Sequence, residues 1–554
     1  IKEIRMNEYT AVIVDEIYQL GIKEAILSPG SRSTPLSMWF SEHPDIYTYL
    51  NIDERSAAFF ALGIAKKKNR PVVLVCTSGS ATAHYLPAVT EAKRSRIPLI
   101  LLTADRPAEL QNVGAPQTIN QHKIFGEFLN YYEELSIPDE KQQFVYPRIV
   151  MQKAYLKCNG MNAGPVQINI PIREPLVPDL NTEYFKAGRS VHKVRIVKGK
   201  LTAHIPDDFF ENKKGIIICG AQGISESPKQ LISLGKQLNA PVLADPLSNI
   251  RQYEDEVIID TYDSFLKNES AKKELVPDYI LMFGQAPVSK RLQQFIAFHK
   301  NAVCVQIDVA SEYRNPSLTT TFFVQAEPCK FAEGILYQNR DNTYLHQWQS
   351  WQRKMKEKLE TVGQEKELFE GRIVQILQEI MPERSCLLSA NSMAIRDIDY
   401  FWRAKNKKVQ ILCNRGTNGI DGTVSTALGI ATDGQPTVLL TGDLALFHDM
   451  NGFLIGKTHQ LNLTVVLLNN DGGGIFQYLP QKGKKYFEYL FSTPHGIQFS
   501  GLETLYGIHY HRVLDYGDFK RSVNRALASQ GIYVIEVCTE KEKSWKLHER
   551  YTTL

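Results

Sequence analysis

Two stretches in the last quarter of the chain carry residue types that can do chemistry together. The apolar run TVLL ends in Thr441-Gly442-Asp443, and the run LTVVLL ends in Asn469-Asn470-Asp471-Gly472-Gly473-Gly474. Buried-strand runs that end in this way exchange side-chain packing for backbone reach. Asp443 and Asn470 are separated by 470 − 443 = 27 residues. A carboxylate, an amide oxygen and a glycine-region carbonyl at Gly472 suit one hard cation, such as magnesium, that keeps open positions for phosphate oxygens. The carboxyl ends of strands in a doubly wound sheet are where such ligands bind, next to helix N-termini. Either motif alone is more often a turn or a helix cap, whereas the two together are more specific. A metal-diphosphate site is the expectation.

A further acidic pair, Asp53-Glu54, follows the strand-like run YTYLNI and opens the helical pattern RSAAFFALGIA. Both acids could simply complement the helix dipole, or one could serve a ligand.

The elements that must position these residues follow from the hydrophobic pattern. Strand-like runs alternate with helical ones throughout: EAILSPG, PVVLVCTSG and IPLILLTAD, then GIIICGAQG, APVLADP, YILMFGQ and AVCVQID, and finally QILCN, TVLLTGD and LTVVLLNND. That rhythm predicts βαβ units and an α/β fold of three doubly wound parallel-sheet domains. A chain of 554 residues exceeds what one core can hold, roughly 250 to 300 residues. The turn-rich REPLVPDLNTEYFKAG and the charged helical WQSWQRKMKEKLETVGQEKELFEGR interrupt the alternation, placing domains at 1–180, 181–360 and 361–554.

The first and third of these domains read as copies of one unit. Ala61-Leu62-Gly63-Ile64-Ala65 recurs as Ala427-Leu428-Gly429-Ile430-Ala431, an offset of 427 − 61 = 366. The same register lays Val72-Val73-Leu74 on Val438-Leu439-Leu440 and LILLTAD on VVLLNND. Shared positions mark the fold and differing ones the division of labour. Asp443 and Asn470 match Thr77 and Ala104, and Glu54 matches Ile420, so the metal ligands sit in one copy and the helix-start acid in the other.

Composition excludes several classes. Lys plus Arg number 64 against 60 for Asp plus Glu, a net charge of +4 without a long basic run, which argues against a nucleic-acid surface. The eight cysteines have no metal-finger spacing and read as small buried residues. No apolar run approaches the ~18 residues of a membrane helix, and the first residues read as an amphipathic helix without a signal-peptide core. A soluble, cytoplasmic protein is expected.

The Gly-Asp pair followed by Asn-Asn resembles the signature of thiamine-diphosphate enzymes, although many members have a glycine where this chain has Leu444. More specifically, SPGSRSTPL, DERSAAFFALG, TADRP, GPVQINIPIREPL, SKRL, ANSMAIRD, NRGTNGIDGTVSTALGIA and GDLALF resemble the motifs of the menaquinone-pathway synthases that make 2-succinyl-5-enolpyruvyl-6-hydroxy-3-cyclohexene-1-carboxylate. The resemblance covers nearly the whole chain and implies pyrimidine-binding, central Rossmann-like and diphosphate-binding domains. It implies thiamine diphosphate with magnesium (or manganese) as cofactors. The reaction implied is decarboxylation of 2-oxoglutarate and addition of the resulting succinyl carbanion equivalent to isochorismate.

By that resemblance Glu54 engages the cofactor pyrimidine and Ile420 props the cofactor bent. Gly442, Asp443, Asn470 and Gly472 hold diphosphate and metal, and Ile475 and Phe476 keep the pocket dry. Both substrates are dicarboxylates, so basic groups are required, and arginine pairs bidentately with carboxylate. Ser392 and Arg396 are expected to take the oxoglutarate-derived group, and Arg32, Gln117, Lys290 and Arg291 to face isochorismate, with Arg106 and Arg415 as further substrate ligands. Homodimers or tetramers with active sites between subunits are expected. The nearest alternative is another thiamine enzyme of the acetohydroxyacid-synthase or 2-oxoacid-decarboxylase type. A nicotinamide or flavin oxidoreductase rests only on Gly220-Ala221-Gln222-Gly223, which lacks a third glycine. A third possibility is a protein of this fold that has lost catalysis and only binds ligands.

Overall fold

The computed structural model describes residues 2–138, 144–190, 195–221 and 228–554. Its β-branched and leucine-rich runs form three six-stranded, all-parallel sheets. The first contains β1 (Glu24–Leu27), β2 (Tyr47–Leu50), β3 (Val72–Cys76), β4 (Leu99–Asp105), β5 (Tyr131–Glu134) and β6 (Val166–Pro171), in the order β2-β1-β3-β4-β6-β5. The second contains β7 (Gly215–Cys219), β8 (Val242–Ala244), β9 (Ile258–Ile259), β10 (Tyr279–Phe283), β11 (Val303–Asp308) and β12 (Thr320–Gln325), in the order β12-β11-β10-β7-β8-β9. The third contains β13 (Ser385–Ser389), β14 (Val409–Cys413), β15 (Thr437–Gly442), β16 (Leu463–Asn469), β17 (His509–Arg512) and β18 (Ile532–Cys538), in the order β14-β13-β15-β16-β18-β17.

The first and third sheets therefore share one strand order, as the repeat requires. The second, read from its β9 edge, has the 3-2-1-4-5-6 order of dinucleotide-binding folds. Gly220 follows β7, and a Cβ there would lie 1.7 Å from the Gln285 carbonyl oxygen, so close packing alone demands glycine. Gln222 and Gly223 of that segment lie outside the described residues.

Strand residues alternate between two cores, as expected for sheets covered on both faces. Val72, Leu74 and Cys76 enter one core, and Val73 and Val75 the other. In the third sheet Val465 and Leu467 share a core with the first domain, whereas Val466 and Leu468 share one with the second. The third domain is thus packed between the other two. Its contact with the first is made by the helices Glu54–Lys68 and Thr423–Ala431, where Ser56 Oγ lies 2.8 Å from Ser425 Oγ. Among the described residues no helix is long and apolar enough to cross a membrane.

Candidate active site

A cavity of about 270 Å³ opens at the carboxyl ends of β13, β15 and β16. Among its lining residues are Asn391, Ser392, Ile420, Gly442, Asp443, Asn470, Gly472, Ile475 and Phe476. Asp443 is the first residue of the helix Asp443–His448 and is only 2% exposed. One of its carboxylate oxygens accepts from the Leu444 amide at 2.7 Å and the other from the Gly472 amide at 2.8 Å. Burial pushes its carboxyl up, against the two amides and His495, whose Nε2 lies 3.3 Å from Oδ2.

The turn after β16 is built to bring backbone close. Gly472 has φ 130°, and a Cβ there would lie 2.0 Å from the Ser492 carbonyl oxygen. Asn470 Oδ1 is buried without a hydrogen-bond partner, which is costly unless a ligand completes it. Among the described residues no three His, Cys, Asp or Glu side chains cluster as a metal site. A cation here would depend on one carboxylate, one amide and a carbonyl, a hard-oxygen set that fits magnesium with phosphate oxygens completing its shell. The residues present fit a magnesium-diphosphate group.

The cavity's other wall is the turn that enters the helix Met393–Phe401. Ser392 adopts φ 67°, ψ −127°, strained for a residue with a Cβ. Asn391 anchors the turn by donating to the carbonyl oxygens of Asn414 at 2.8 Å and Gly419 at 2.6 Å. Arg415 Nη1 donates to Asn391 Oδ1 at 2.9 Å, and Arg396 Nη1 donates back to the Ser392 carbonyl. Burial, and then the neighbouring Arg415, lower the Arg396 guanidinium below the usual arginine range.

The remaining expected residues lie elsewhere in the chain. In the first domain Arg32 is buried, donates to the Ile172 carbonyl at 2.9 Å and is lowered first by burial and then by Arg106. Arg106 donates to Ser78 Oγ, which donates to the Gln117 carbonyl at 3.0 Å, and Gln117 Nε2 returns a bond to the Ser78 carbonyl at 3.0 Å. Asp53 is the N-cap of its helix, accepting from the Arg55 and Ser56 amides. Glu54, half-buried near Cys76 and Tyr85, has no hydrogen-bond or ion-pair partner among the described residues and does not line the cavity. Lys290 and Arg291 open the helix Lys290–Phe298 of the central domain and are exposed. The expected residues thus fall in separate places: the cavity, with Arg396 and Arg415 bonded to the turn that walls it, and in the first domain the linked Arg32, Arg106 and Gln117, and Glu54.

Sequence reasoning did not point to His495, to Asn391, or to Glu370, Asp397, Tyr478, Lys541, Ser544 and His548, all of which except His495 line the cavity. The segments that carry them, apart from ANSMAIRD, have no motif to mark them.

Three family descriptions match the chain in order: the N-terminal TPP binding domain of thiamine pyrophosphate enzymes over residues 7–124, their middle domain over 192–388 and their C-terminal TPP binding domain over 396–537. The 2-succinyl-5-enolpyruvyl-6-hydroxy-3-cyclohexene-1-carboxylate synthase of Lactococcus lactis subsp. lactis is 54% identical over 99% of both chains. The enzyme of the same name from Desulfitobacterium hafniense is 52% identical over 99% of this chain and 100% of its own. The one from Bacillus cytotoxicus is 40% identical over 98% and 96%. Among solved structures, benzoylformate decarboxylase from Polynucleobacter necessarius superposes with a TM-score of 0.74 over 96% of this chain and 98% of its own, at 17% identity, a likeness of fold. The chain belongs to the thiamine pyrophosphate enzymes and, among them, to the family of 2-succinyl-5-enolpyruvyl-6-hydroxy-3-cyclohexene-1-carboxylate synthases.

Proposed function

We propose that this protein decarboxylates 2-oxoglutarate and joins the four-carbon remainder to isochorismate, giving 2-succinyl-5-enolpyruvyl-6-hydroxy-3-cyclohexene-1-carboxylate in menaquinone biosynthesis. The observation that carries this reading is the placement of Asp443, Asn470, Gly472 and Ile420 in one cavity opposite the Ser392–Arg396 turn. When bound, thiamine diphosphate supplies the electron sink that a 2-oxo acid needs to lose carbon dioxide. Asp443, Asn470 and the Gly472 carbonyl are the groups we assign to its metal, magnesium or manganese, and Gly442 is assigned to the diphosphate. Ile420 supports the thiazolium side, while Ile475 and Phe476 exclude water from the reacting carbon.

Ser392 and Arg396 are assigned to 2-oxoglutarate, Arg396 pairing with its carboxylate, and Arg415 is a further substrate ligand. Arg32, Arg106, Gln117, Lys290 and Arg291 are assigned to isochorismate, whose two carboxylates need cations of their own. Glu54 is the group we assign to the cofactor's pyrimidine, where its carboxyl would hold a proton at N1′. Since Glu54 does not line the cavity of its own chain, we infer an isologous homodimer, alone or paired into a tetramer, in which each cavity meets a Glu54 from the other subunit. Exposed apolar residues flank both groups, Ile52 (63% exposed) before Glu54 and Phe447 (49% exposed) after Asp443, and such a dimer would cover them. We place the domain limits near residues 180 and 360 and the protein in the cytoplasm.

Carbon dioxide release from 2-oxoglutarate, measured with thiamine diphosphate and magnesium, should depend on added isochorismate. Turnover of pyruvate alone, indifferent to isochorismate, would replace this reading with a decarboxylase or acetohydroxyacid synthase.

A further inference from the structure

The inner end of the cavity holds charged groups to which the proposed reaction assigns no role. His548, on the C-terminal helix Lys541–Thr552, is 2% exposed, and Asp397, on the helix Met393–Phe401, is 0% exposed. His548 Nδ1 lies 2.7 Å from the Ser544 carbonyl oxygen, and Nε2 lies 2.7 Å from Asp397 Oδ1. A carbonyl oxygen only accepts, so Nδ1 carries a hydrogen and the second contact shares one proton between imidazole and carboxylate. Ser544 Oγ donates to Glu370 Oε2 at 2.7 Å, and Thr539 Oγ1 to Glu370 Oε1 at 2.5 Å. The rings of Phe369, Phe401 and Tyr478 close around the imidazole.

A buried ion pair is a poor source of stability, because desolvation offsets much of its attraction, but its geometry is restrictive. What it restrains here is specific. Asp397 directly follows Arg396 in a helix of nine residues whose entry residue, Ser392, is strained and whose first turn has no side-chain cap. So short a helix does not hold a strained turn unaided. Asn391 fixes the turn from its N-terminal side. From the C-terminal side, Arg251 of the central domain holds the far end of the helix through Asp399 and the Ile398 and Trp402 carbonyls, and Asp397, the residue next to Arg396, is tied to the C-terminal helix at the cavity wall through His548.

We propose that His548, acting through Asp397, is a positioning residue that holds the Ser392–Arg396 turn in the orientation that receives the carboxylate of the 2-oxo acid. This rests on the reading of the reaction given above. His548 does not touch the substrate. It sets where the Arg396 guanidinium sits, and a small displacement of a positioning group is enough to cost about 10²-fold in rate.

The test is steady-state kinetics of His548→Leu and His548→Gln with 2-oxoglutarate and isochorismate varied in turn, alongside calorimetric binding of thiamine diphosphate with magnesium and thermal unfolding. His548→Leu should raise the KM for 2-oxoglutarate by at least about tenfold, leaving the KM for isochorismate and cofactor affinity within about twofold of wild type. His548→Gln, whose amide can donate to Asp397, should recover most of that loss. A folded Leu variant that melts earlier but keeps the wild-type KM for 2-oxoglutarate would overturn the proposal. If His548→Leu does not fold, Asp397→Asn, which keeps the shape and removes the charge, must raise the same KM. A wild-type protein that releases no carbon dioxide in this assay refutes the reaction itself, whereas an active wild type with unaffected variants refutes only the positioning role.

Discussion

Gly63 and Gly429 lie against each other where the first and third domains meet, and the contact is the same viewed from either helix. A Cβ on Gly63 would come 2.1 Å from the Thr426 carbonyl oxygen, and a Cβ on Gly429 would come 2.1 Å from the Phe60 carbonyl oxygen. Both glycines and both carbonyls are related by the offset of the repeat (429 − 63 = 366 and 426 − 60 = 366). The two related domains of one chain are therefore packed as the halves of an isologous dimer are. Gly63→Ala and Gly429→Ala should each lose roughly 1–3 kcal/mol of stability through overpacking against backbone, and the double variant less than the sum because both force the same helices apart. Urea denaturation measures this, and unchanged midpoints in both single variants would refute so close an approach.

Asp443→Ala should act on cofactor binding. It removes the one charged group we assign to the metal, and it strips the acceptor from the Leu444 and Gly472 amides. Losing one charge-assisted contact of about 1.5–3 kcal/mol corresponds to roughly a ten- to hundredfold weaker Kd for thiamine diphosphate at fixed magnesium. Calorimetry that shows wild-type affinity would move the metal elsewhere.

Arg396→Ala should leave that affinity alone and raise the KM for 2-oxoglutarate, because a guanidinium-carboxylate pair is lost while Arg415 stays in place. Arg396→Lys should restore only part of the loss, since an ammonium cannot reproduce the planar fork. Weakened cofactor binding with an unchanged KM for 2-oxoglutarate would place Arg396 against the diphosphate.

How much of this was legible in the sequence depends on the physical range of each signal. The repeat was, because strand burial on both faces constrains Val72-Val73-Leu74 and Val438-Leu439-Leu440 alike, and the two sheets do share one strand order. Asp443, Asn470 and Gly472 were visible because glycine and asparagine at a strand end depart from what packing alone selects. His495 was not, although it reaches Asp443, because it stands in a loop with no periodicity. The Asp397–His548 pair joins residues 151 apart, and neither helix bears a mark of the other. That Glu54 does not line the cavity of its own chain leaves no trace in local pattern, and the expectation of sites between subunits rests on the family resemblance.

That buried pair should shape stability against pH. Burial alone would push the His548 imidazole down, but the Asp397 carboxylate and its hydrogen bond hold it above the usual histidine range. The folded protein therefore keeps a proton that the unfolded chain releases near pH 6.5, so this stabilisation is full below about pH 6.5 and is lost as pH rises through the folded value. Burial lifts the Asp397 carboxyl to about 6 against His548, from 3.8, so between those values it too loses stability as pH rises. His548→Gln should flatten the fall in Tm above about pH 6.5. Parallel Tm curves for wild type and variant between about pH 5.5 and 8.5 would show that the imidazole does not titrate with folding.

The division of the site between two subunits has its own test. Glu54 belongs to the first copy of the repeat and Asp443 to the third domain, and in one chain the cavity that contains Asp443 is not lined by Glu54. Assayed at a thiamine diphosphate concentration near the wild-type Kd, Glu54→Gln and Asp443→Ala should each be nearly inactive, the first because proton transfer at the pyrimidine is lost and the second because the weakened site stays largely empty. In a dimer formed from one chain of each kind, one site collects both lesions. The other site receives an intact Glu54 from one chain and an intact Asp443 from its partner. Random pairing of equal amounts makes half of the dimers mixed, each with one working site of two, so co-expression should recover roughly a quarter of wild-type activity. Carbon dioxide release from differently tagged, co-purified chains measures it. Mixed dimers that are demonstrably formed and still inactive would mean that each site is completed within a single chain.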